Sequence, residues 1–300
     1  MKHPGSDLSF AKKKMSFFKQ CSVVAAICLG LLLSHHAQAC TVFAAVGPED
    51  VAGAGALIAK VRDERATVQT VKFMQHDTGY AFVGLFVGPK ERFNMGVNEM
   101  GFVVFRTTAG SVPKDVRRQS VRFKSEDGLS GHEFLIRNCA SVDEALAQKA
   151  VFEHEPTNYM LADARKIAFV EVMPGGRHAV IVKDRGTLAH TNHYVTDAAL
   201  ADNIKIGKSS RARFARIQEL LEKSPRPLKM DDFIAFTRDR NDGPNNSIFR
   251  IGSPNAKITT LSSMVVYLPE NAAPVMEFAW RPNPADPKRW LRQRLSFPTH

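Results

Sequence analysis

The chain has 300 residues and a formal net charge of +11, with 44% hydrophobic and 24% charged side chains. Length and apolar content suit one domain with a large core. The charge comes without an aromatic-studded basic stripe, and the four cysteines show no zinc-like spacing. Nucleic acid is therefore excluded as an implied partner, and no metal or other cofactor is expected.

The first element along the chain is a leader. Lys12, Lys13, Lys14 and Lys19 make a positively charged start, and Met15 offers an alternative initiator. An apolar run from Ser22 to Leu33 follows, about 12 residues against the ~20 that cross a bilayer. Ala37-Gln38-Ala39 is the small-x-small pattern that a signal peptidase reads. Residues 1–39 are thus expected to be a signal peptide that is removed, leaving a periplasmic or secreted product with no stable membrane span. Its loss takes five lysines and one aspartate, and the net charge falls from +11 to +7. Cys21 and Cys28 leave with it, so the mature chain keeps Cys40 and Cys139. Two cysteines make no disulfide framework, and Cys139, at the end of an expected helix, reads as a small core residue.

Cut there, the chain begins at Cys40. A cysteine with a free α-amino group holds a nucleophile and a base in one residue. An ordinary thiol has a pKa of about 8.5 and a free α-amine about 7.7–8.0, so proton exchange between them costs little. The amine can take the thiol proton and later pass it to a leaving nitrogen. A bacterial lipoprotein also carries a cysteine just after its cleavage point, with lipid on the sulfur and the amine usually blocked. Two features oppose that reading here. Ala37 stands three positions before Cys40, where lipoproteins prefer Leu, and Thr41-Val42-Phe43-Ala44-Ala45-Val46 reads as a buried strand, not as a tether.

Strands are predicted over Thr41–Val46, Ala56–Arg62, Thr67–Phe73, Tyr80–Val87, Arg92–Val97 and Phe102–Arg106, separated by turns such as Gly47-Pro48 and Gly88-Pro89. The polar, basic stretch Ser111–Gly128 is expected to be a mobile loop. Helices are predicted over Ser130–Asn138 and Ser141–Ala150, the second opened by a capping box of Ser141 and Glu144. Strands return at Asn158–Asp163, Lys166–Val172 and His178–Lys183. Two helices follow at Ser210–Lys223 and Met230–Arg238, and Phe214, Ile217 and Leu221 share one face of the first. Strands near Ser247–Arg250, Thr259–Tyr267 and Val275–Trp280 precede a Pro-rich basic tail from about residue 281. Strands, helices, then strands describe an α+β layered protein, two antiparallel sheets with helices outside, in a single domain over residues 40–300.

Seven stretches carry a family resemblance. They are Cys40-Thr41-Val42-Phe43-Ala44, Ala59-Lys60-Val61-Arg62-Asp63, Gly96-Val97-Asn98-Glu99-Met100-Gly101, Asn158-Tyr159-Met160-Leu161-Ala162-Asp163, His190-Thr191-Asn192-His193, Ser209-Ser210-Arg211-Ala212-Arg213-Phe214 and Thr260-Leu261-Ser262-Ser263-Met264. In this order the chain resembles the linear-amide C–N hydrolases of the N-terminal-nucleophile (Ntn) superfamily. That group includes the acyltransferase of penicillin biosynthesis, penicillin V acylases and conjugated bile acid (choloylglycine) hydrolases. The resemblance is strongest to the acyltransferase-like branch and implies a four-layer αββα sandwich of the Ntn-hydrolase type.

The resemblance also implies roles. Cys40 is the nucleophile, Asp63 the carboxylate that orients the terminal amine, and Asn192 the side-chain donor to the oxyanion. Arg213 is the arginine of a Ser-x-x-Arg segment near the cysteine. Lys60 stands where bile acid hydrolases have arginine; it keeps a charge that lowers a cysteine's pKa but loses the bidentate fork. Thr108 falls where those enzymes place a second oxyanion asparagine, so that donor is missing or supplied by backbone. Both departures point away from bile salts.

His190 and His193 flank Asn192, but at that spacing in a strand and turn they would not share a face, and no carboxylate pair completes a metal site. They read as structural or substrate-lining, Asn158 and Asp163 as strand-end and turn residues, and the basic run Lys288–Arg294 as a solvated end. The expected function is an exported cysteine amidohydrolase acting on a small-molecule N-acyl amide, with transfer to another amine left open. The alternatives are a lipid-anchored, non-catalytic binding protein on the same fold, or a penicillin V or acyl-homoserine-lactone acylase. The sequence names neither the acyl group nor the amine, and leaves open whether the chain forms a homo-oligomer.

Overall fold

The structure, a computed structural model, describes residue 1 and residues 39–297. The leader between residues 2 and 38, and the last three residues of the tail, lie outside the described residues.

Strands dominate and sort into two antiparallel sheets. One contains β1 (Ala39–Val46), β2 (Ala56–Glu64), β10 (Gly186–His190), β11 (Thr259–Leu268), β12 (Val275–Trp280) and β13 (Leu291–Ser296), in the order β10-β1-β2-β11-β12-β13. The other is a meander of β3 (Gln69–Met74), β4 (Phe82–Val87), β5 (Arg92–Asn98), β6 (Val103–Thr108), β7 (Thr157–Ala162), β8 (Ile167–Val172) and β9 (His178–Lys183), each beside the next.

Alternation along each strand decides what it packs against. Val42, Ala44 and Val46 of β1 join Leu85, Met95, Phe105 and Met264 in a core between the two sheets. Phe43 and Ala45 point the other way, onto Ile217, Leu221 and Phe233 of helices Lys208–Lys223 and Met230–Phe236. On the seven-stranded sheet, Ala168, Val170 and Val172 face Leu135, Ile136, Val142 and Ala145 of helices Gly131–Asn138 and Val142–Ala147. Helix, sheet, sheet, helix is the expected four-layer αββα sandwich. Covered on both faces, β1 is apolar almost throughout. Each large apolar side chain moved from water into these layers contributes about 1.5–3 kcal/mol.

Departures from the sequence prediction have local causes. Helix Val142–Ala147 is capped as expected by Ser141, whose Oγ accepts from the Glu144 amide at 3.2 Å, but the Glu144 carboxylate reaches the Ala140 amide at 2.8 Å. The helix stops at Ala147 and a single 3-10 turn, Lys149–Phe152, replaces its expected last turn. The segment expected as a mobile loop holds a short helix, Lys114–Gln119. No strand forms over residues 247–250. Single bonds hold that segment instead, from the Phe249 amide to the Asp239 carbonyl and from the Thr260 amide to the Arg250 carbonyl. Strand β13 occupies part of the expected tail; Leu291 and Leu295 pack on the inter-sheet core while its arginines stay outside. Strand β10 was also unpredicted, because a five-residue strand with one large apolar residue carries little periodic signal. The β1–β2 turn needs glycine at Gly55: φ is +83°, and a Cβ there would lie 2.1 Å from the Leu268 carbonyl oxygen.

Candidate active site

The register of β1 and β2 assembles the site. Cys40 pairs with Arg62 and Ala39 with Asp63. Cys40, like Val42, faces the other sheet, and so do its cross-strand neighbours Lys60 and Arg62. Asp63 faces the helices. Ala39 and Cys40 are both buried, at 5% and 7% exposure.

Asn192 and Arg213 close over the backbone of Cys40. Strand β10 runs beside β1, with His190 opposite Val42, which delivers the next residues, Thr191 and Asn192, to the Cys40 end of the strand. The Cys40 backbone nitrogen donates to Asn192 Oδ1 at 2.8 Å. Arg213 Nη2 donates to the same oxygen at 3.0 Å, while its Nη1 reaches the Cys40 carbonyl and, at 2.8 Å, Thr41 Oγ1. Asn192 Nδ2 donates to the Thr108 carbonyl at 3.0 Å, and its backbone nitrogen to Ser210 Oγ at 3.1 Å. Gly110 permits this approach: a Cβ there would meet both the Cβ and the carbonyl oxygen of Asn192 at 3.2 Å.

Helix Lys208–Lys223 presents its polar end to this cluster. Its buried stripe is Ser210, Arg213, Ile217 and Leu221. Arg213 takes the core-facing place that the apolar pattern assigned to Phe214, which instead lies half-buried against the His193 ring at 5.3 Å. Burial lowers the Arg213 pKa to about 10 against the pull of Asp63, so the guanidinium stays charged at neutral pH.

Asp63 is fully buried. Its Oδ1 accepts from Thr260 Oγ1 at 2.7 Å. Its Oδ2 has no hydrogen-bond partner among the described residues, with Arg250 Nη1 at 3.8 Å. Burial raises its pKa to about 6, although Arg213, Arg250, Thr260 and Arg62 pull the other way. Burial likewise pushes the Cys40 thiol up; Lys60 and Arg62 draw it down, and Asp63 and Glu64 raise it further. Lys60 is buried with its Nζ donating to Asn94 Oδ1 at 3.0 Å and the Asn94 carbonyl at 3.3 Å. Burial lowers its pKa to about 8, while the thiol raises it. A thiol held up by burial beside a weakened lysine and a poorly satisfied carboxylate needs an added base to become a thiolate.

The structure thus brings Cys40, Lys60, Asp63, Asn192 and Arg213 together, with Thr108 joined through its carbonyl. His190 and His193 lie beside them with partners of their own: His190 Nε2 meets Glu171 Oε1 at 2.8 Å and His193 Nδ1 meets Ser210 Oγ at 2.9 Å. Asn158 is buried, its Nδ2 donating to Thr107 Oγ1 at 3.2 Å, and Asp163 receives the Val142 amide at 2.8 Å. No role for Thr260, Ser210 or Asn94 is readable from sequence alone. Thr260 and Ser210 lie in two of the seven family-like stretches, and Asn94 lies in none.

The family is settled by a match over residues 53–281 to the model described as acyl-coenzyme A:6-aminopenicillanic acid acyl-transferase. The chain belongs to that family. The matched span holds Lys60, Asp63, Asn192 and Arg213, and begins after Cys40. Among solved structures the chain is similar to penicillin V acylase from Agrobacterium tumefaciens, with 18% identity, 81% of this chain and 84% of that one covered, and a TM-score of 0.51. It is also similar to the Caenorhabditis elegans N-acylethanolamine-hydrolyzing acid amidase (NAAA) ortholog, with 13% identity, 77% and 94% covered, and a TM-score of 0.53. At such identities the likeness establishes the fold, that of the Ntn hydrolases. No curated protein matches the chain.

Proposed function

We propose that this protein is an exported cysteine amidohydrolase that cleaves a linear amide through an acyl-enzyme on Cys40, in the periplasm or outside the cell. The observation that carries the reading is the Cys40 nitrogen, held 2.8 Å from Asn192 Oδ1 beside a buried thiol. Removal of residues 1–39 turns that nitrogen into an amine in the place where a base is needed. Asp63, opposite Ala39 and with no hydrogen bond to its Oδ2 among the described residues, supplies the carboxylate to orient the charged amine.

The amine takes the thiol proton, the sulfur forms a bond to the substrate carbonyl carbon, and the carbonyl oxygen gains the negative charge. Asn192 Nδ2, with one hydrogen on the Thr108 carbonyl, offers its second to that oxyanion. Arg213 fixes Asn192 Oδ1 and the Cys40 carbonyl, while Lys60 adds positive potential at the sulfur. The protonated amine then gives its proton to the leaving nitrogen as the carbon–nitrogen bond breaks, which leaves a thioester. Water hydrolyses the thioester with the amine again as base, or a second amine takes the acyl group.

Strand β1 is buried from Ala39 onward, which leaves a lipid on Cys40 no tether and favours the enzyme over the anchored binding protein. The fold neighbour that is a penicillin V acylase makes penicillin V the first substrate to try. The test is intact mass and N-terminal analysis of the secreted protein, followed by an N-acyl substrate panel. An unmodified chain starting at Cys40 that releases amines supports the reading. A lipid adduct, or a start elsewhere, overturns it.

A further inference from the structure

Arg250 lies in residues 247–250, which form no strand yet are firmly anchored. The Arg250 amide donates to Thr260 Oγ1 at 2.7 Å, and the Thr260 amide donates to the Arg250 carbonyl at 2.9 Å. The ring of Phe249 packs against Trp290 at 5.5 Å and under the Arg240 guanidinium at 4.8 Å. These anchors bring Arg250 to both oxygens of Asp63. Thr260 relays one contact: the hydroxyl that accepts from the Arg250 amide donates to Asp63 Oδ1 at 2.7 Å. The other contact is direct, from Nη1 to Oδ2 at 3.8 Å, with 12% of the Arg250 side chain exposed and none of the Asp63 side chain.

A structural ion pair between a buried arginine and a carboxylate ordinarily closes to about 2.7–2.9 Å, often through two parallel hydrogen bonds. This one is left open. Asp63 Oδ2 and Arg250 Nε are both buried without a hydrogen bond among the described residues. Arg250 thus lends Asp63 a positive charge and leaves Oδ2 able to accept from a second cation, such as the amine of a processed Cys40. A buried carboxylate beside an ammonium keeps its proton on, however, and a protonated amine is no base. The surrounding charges decide that balance. Strand β2 supplies Lys60, Arg62, Asp63 and Glu64, and helix Lys208–Lys223 supplies Arg213. Strand β10 and its continuation bring His190, paired with Glu171, and His193, on Ser210; β6 brings Arg106, paired with Glu155. Lys60, Arg62 and Arg213 are hydrogen-bonded to Asn94, Gln69 and Asn192. Arg213 and Arg250 both draw the Asp63 pKa down, and among the described residues Arg250 alone is its ion-pair partner.

We propose that Arg250 is a positioning residue for the amine of Cys40: it fixes Asp63 through Thr260, shares that carboxylate with the amine, and so keeps the amine's proton loosely enough held for the amine to act as base. The proposal rests on the amidohydrolase reading and adds a residue to it. Its sign follows from charge alone. Loss of a cation raises the proton affinity of the amine, the thiol and Asp63 together, so the first proton to leave the coupled set leaves at higher pH, whichever atom holds it.

The experiment uses processed protein whose N-terminus has been checked by mass. Arg250→Gln should move the acid limb of the kcat/KM profile up by about 0.5–1 pH unit, and Arg250→Lys, which keeps the charge, should bring most of that shift back. Alkylation of Cys40 by iodoacetamide, read at the N-terminal peptide, should show the same shift and needs no substrate. A limb that stays in place while the rate falls at every pH leaves Arg250 a structural part only and overturns the proposal. Thermal melting checks that each variant is folded. Arg250→Met, which keeps the packing of the stem, replaces a Gln variant that does not fold. Failure of both neutral variants to fold while Arg250→Lys folds overturns the proposal as well. Native protein that turns over no amide overturns the amidohydrolase reading instead. The alkylation profile then decides Arg250 by itself: a shift in the neutral variant upholds its hold on the proton, and an unmoved profile removes it.

Discussion

Two carboxylates, Asp63 and Glu171, are buried to the same degree and fare oppositely. Glu171 receives four hydrogen bonds, from His190 Nε2, the Val195 and Thr196 amides and Thr196 Oγ1. Burial pushes its pKa up, but His190, Thr196 and the Val195 amide outweigh burial and hold it below the usual range. Asp63 receives one hydrogen bond from Thr260, leaves Oδ2 without a hydrogen bond among the described residues and with Arg250 Nη1 at 3.8 Å, and is raised to about 6. The satisfied carboxylate ties together residues 190–196 and so supports the segment that carries Asn192. The unsatisfied one stands opposite Ala39, beside the nitrogen of Cys40 that the proposed processing would leave as an ammonium.

The largest expected effect lies on the unsatisfied side. Cys40→Ala should lower turnover by about 10³-fold or more while the melting temperature stays near native, because the thiol supplies chemistry more than core volume. Asn192→Ala should lower kcat by about 10²–10³-fold with a smaller change in KM, as expected of a group acting on the transition state. An unchanged kcat would remove Asn192 from the oxyanion site.

The two carboxylates can then be exchanged for amides. Glu171→Gln should cost about 3 kcal/mol of stability, since it breaks a buried pair with His190, and leave turnover per folded molecule close to native. Asp63→Asn should do the reverse, with little change in denaturation midpoint and a clear loss of kcat. Equal stability losses in the two variants would break the comparison.

The smallest effect is in pH dependence. Asp63 of the unprocessed chain titrates near 6 when folded and at about 3.9 when unfolded. The folded state therefore holds the extra proton, and stability falls as pH rises between those values. Glu171 has the opposite sign: its contribution is present above the ordinary unfolded value of about 4.3 and is lost as pH falls through its lowered folded value. Unfolding of Asp63→Asn measured across pH 4 to 6 should lack the native decline. Processed protein should also show a weakened decline, because the new ammonium stabilises the Asp63 carboxylate.

Much of this was legible in the sequence. The buried strand after Cys40, the hairpin strands, the helix cap at Ser141 and the αββα layering follow from periodicity, turn residues and motif order. Lys60, Asp63, Asn192 and Arg213 could be named from their motifs, although only the register of β1, β2 and β10 brings them to one point. Arg62 and Glu171 were not legible. Glu171 is a lone charge in an apolar strand and Arg62 one of four charged residues at the end of β2, and alternation says which face each takes but not what waits there. Strands β10 and β13 escaped for the same reason, since pairing with β1 and β12, rather than their own composition, makes them strands.

The burial of Ala39 imposes a timetable. The bond between Ala39 and Cys40 lies at the start of β1, with Ala39 laddered to Asp63 and both residues buried, and a protease cannot reach a bond so placed. On the proposed processing, scission by an outside peptidase has to come while the polypeptide is still extended, before β1 is zipped between its neighbours. On the same proposal, a molecule that folded first would keep its amide in place of an amine and stay inert, so activity would be withheld from any copy that matured in the wrong order.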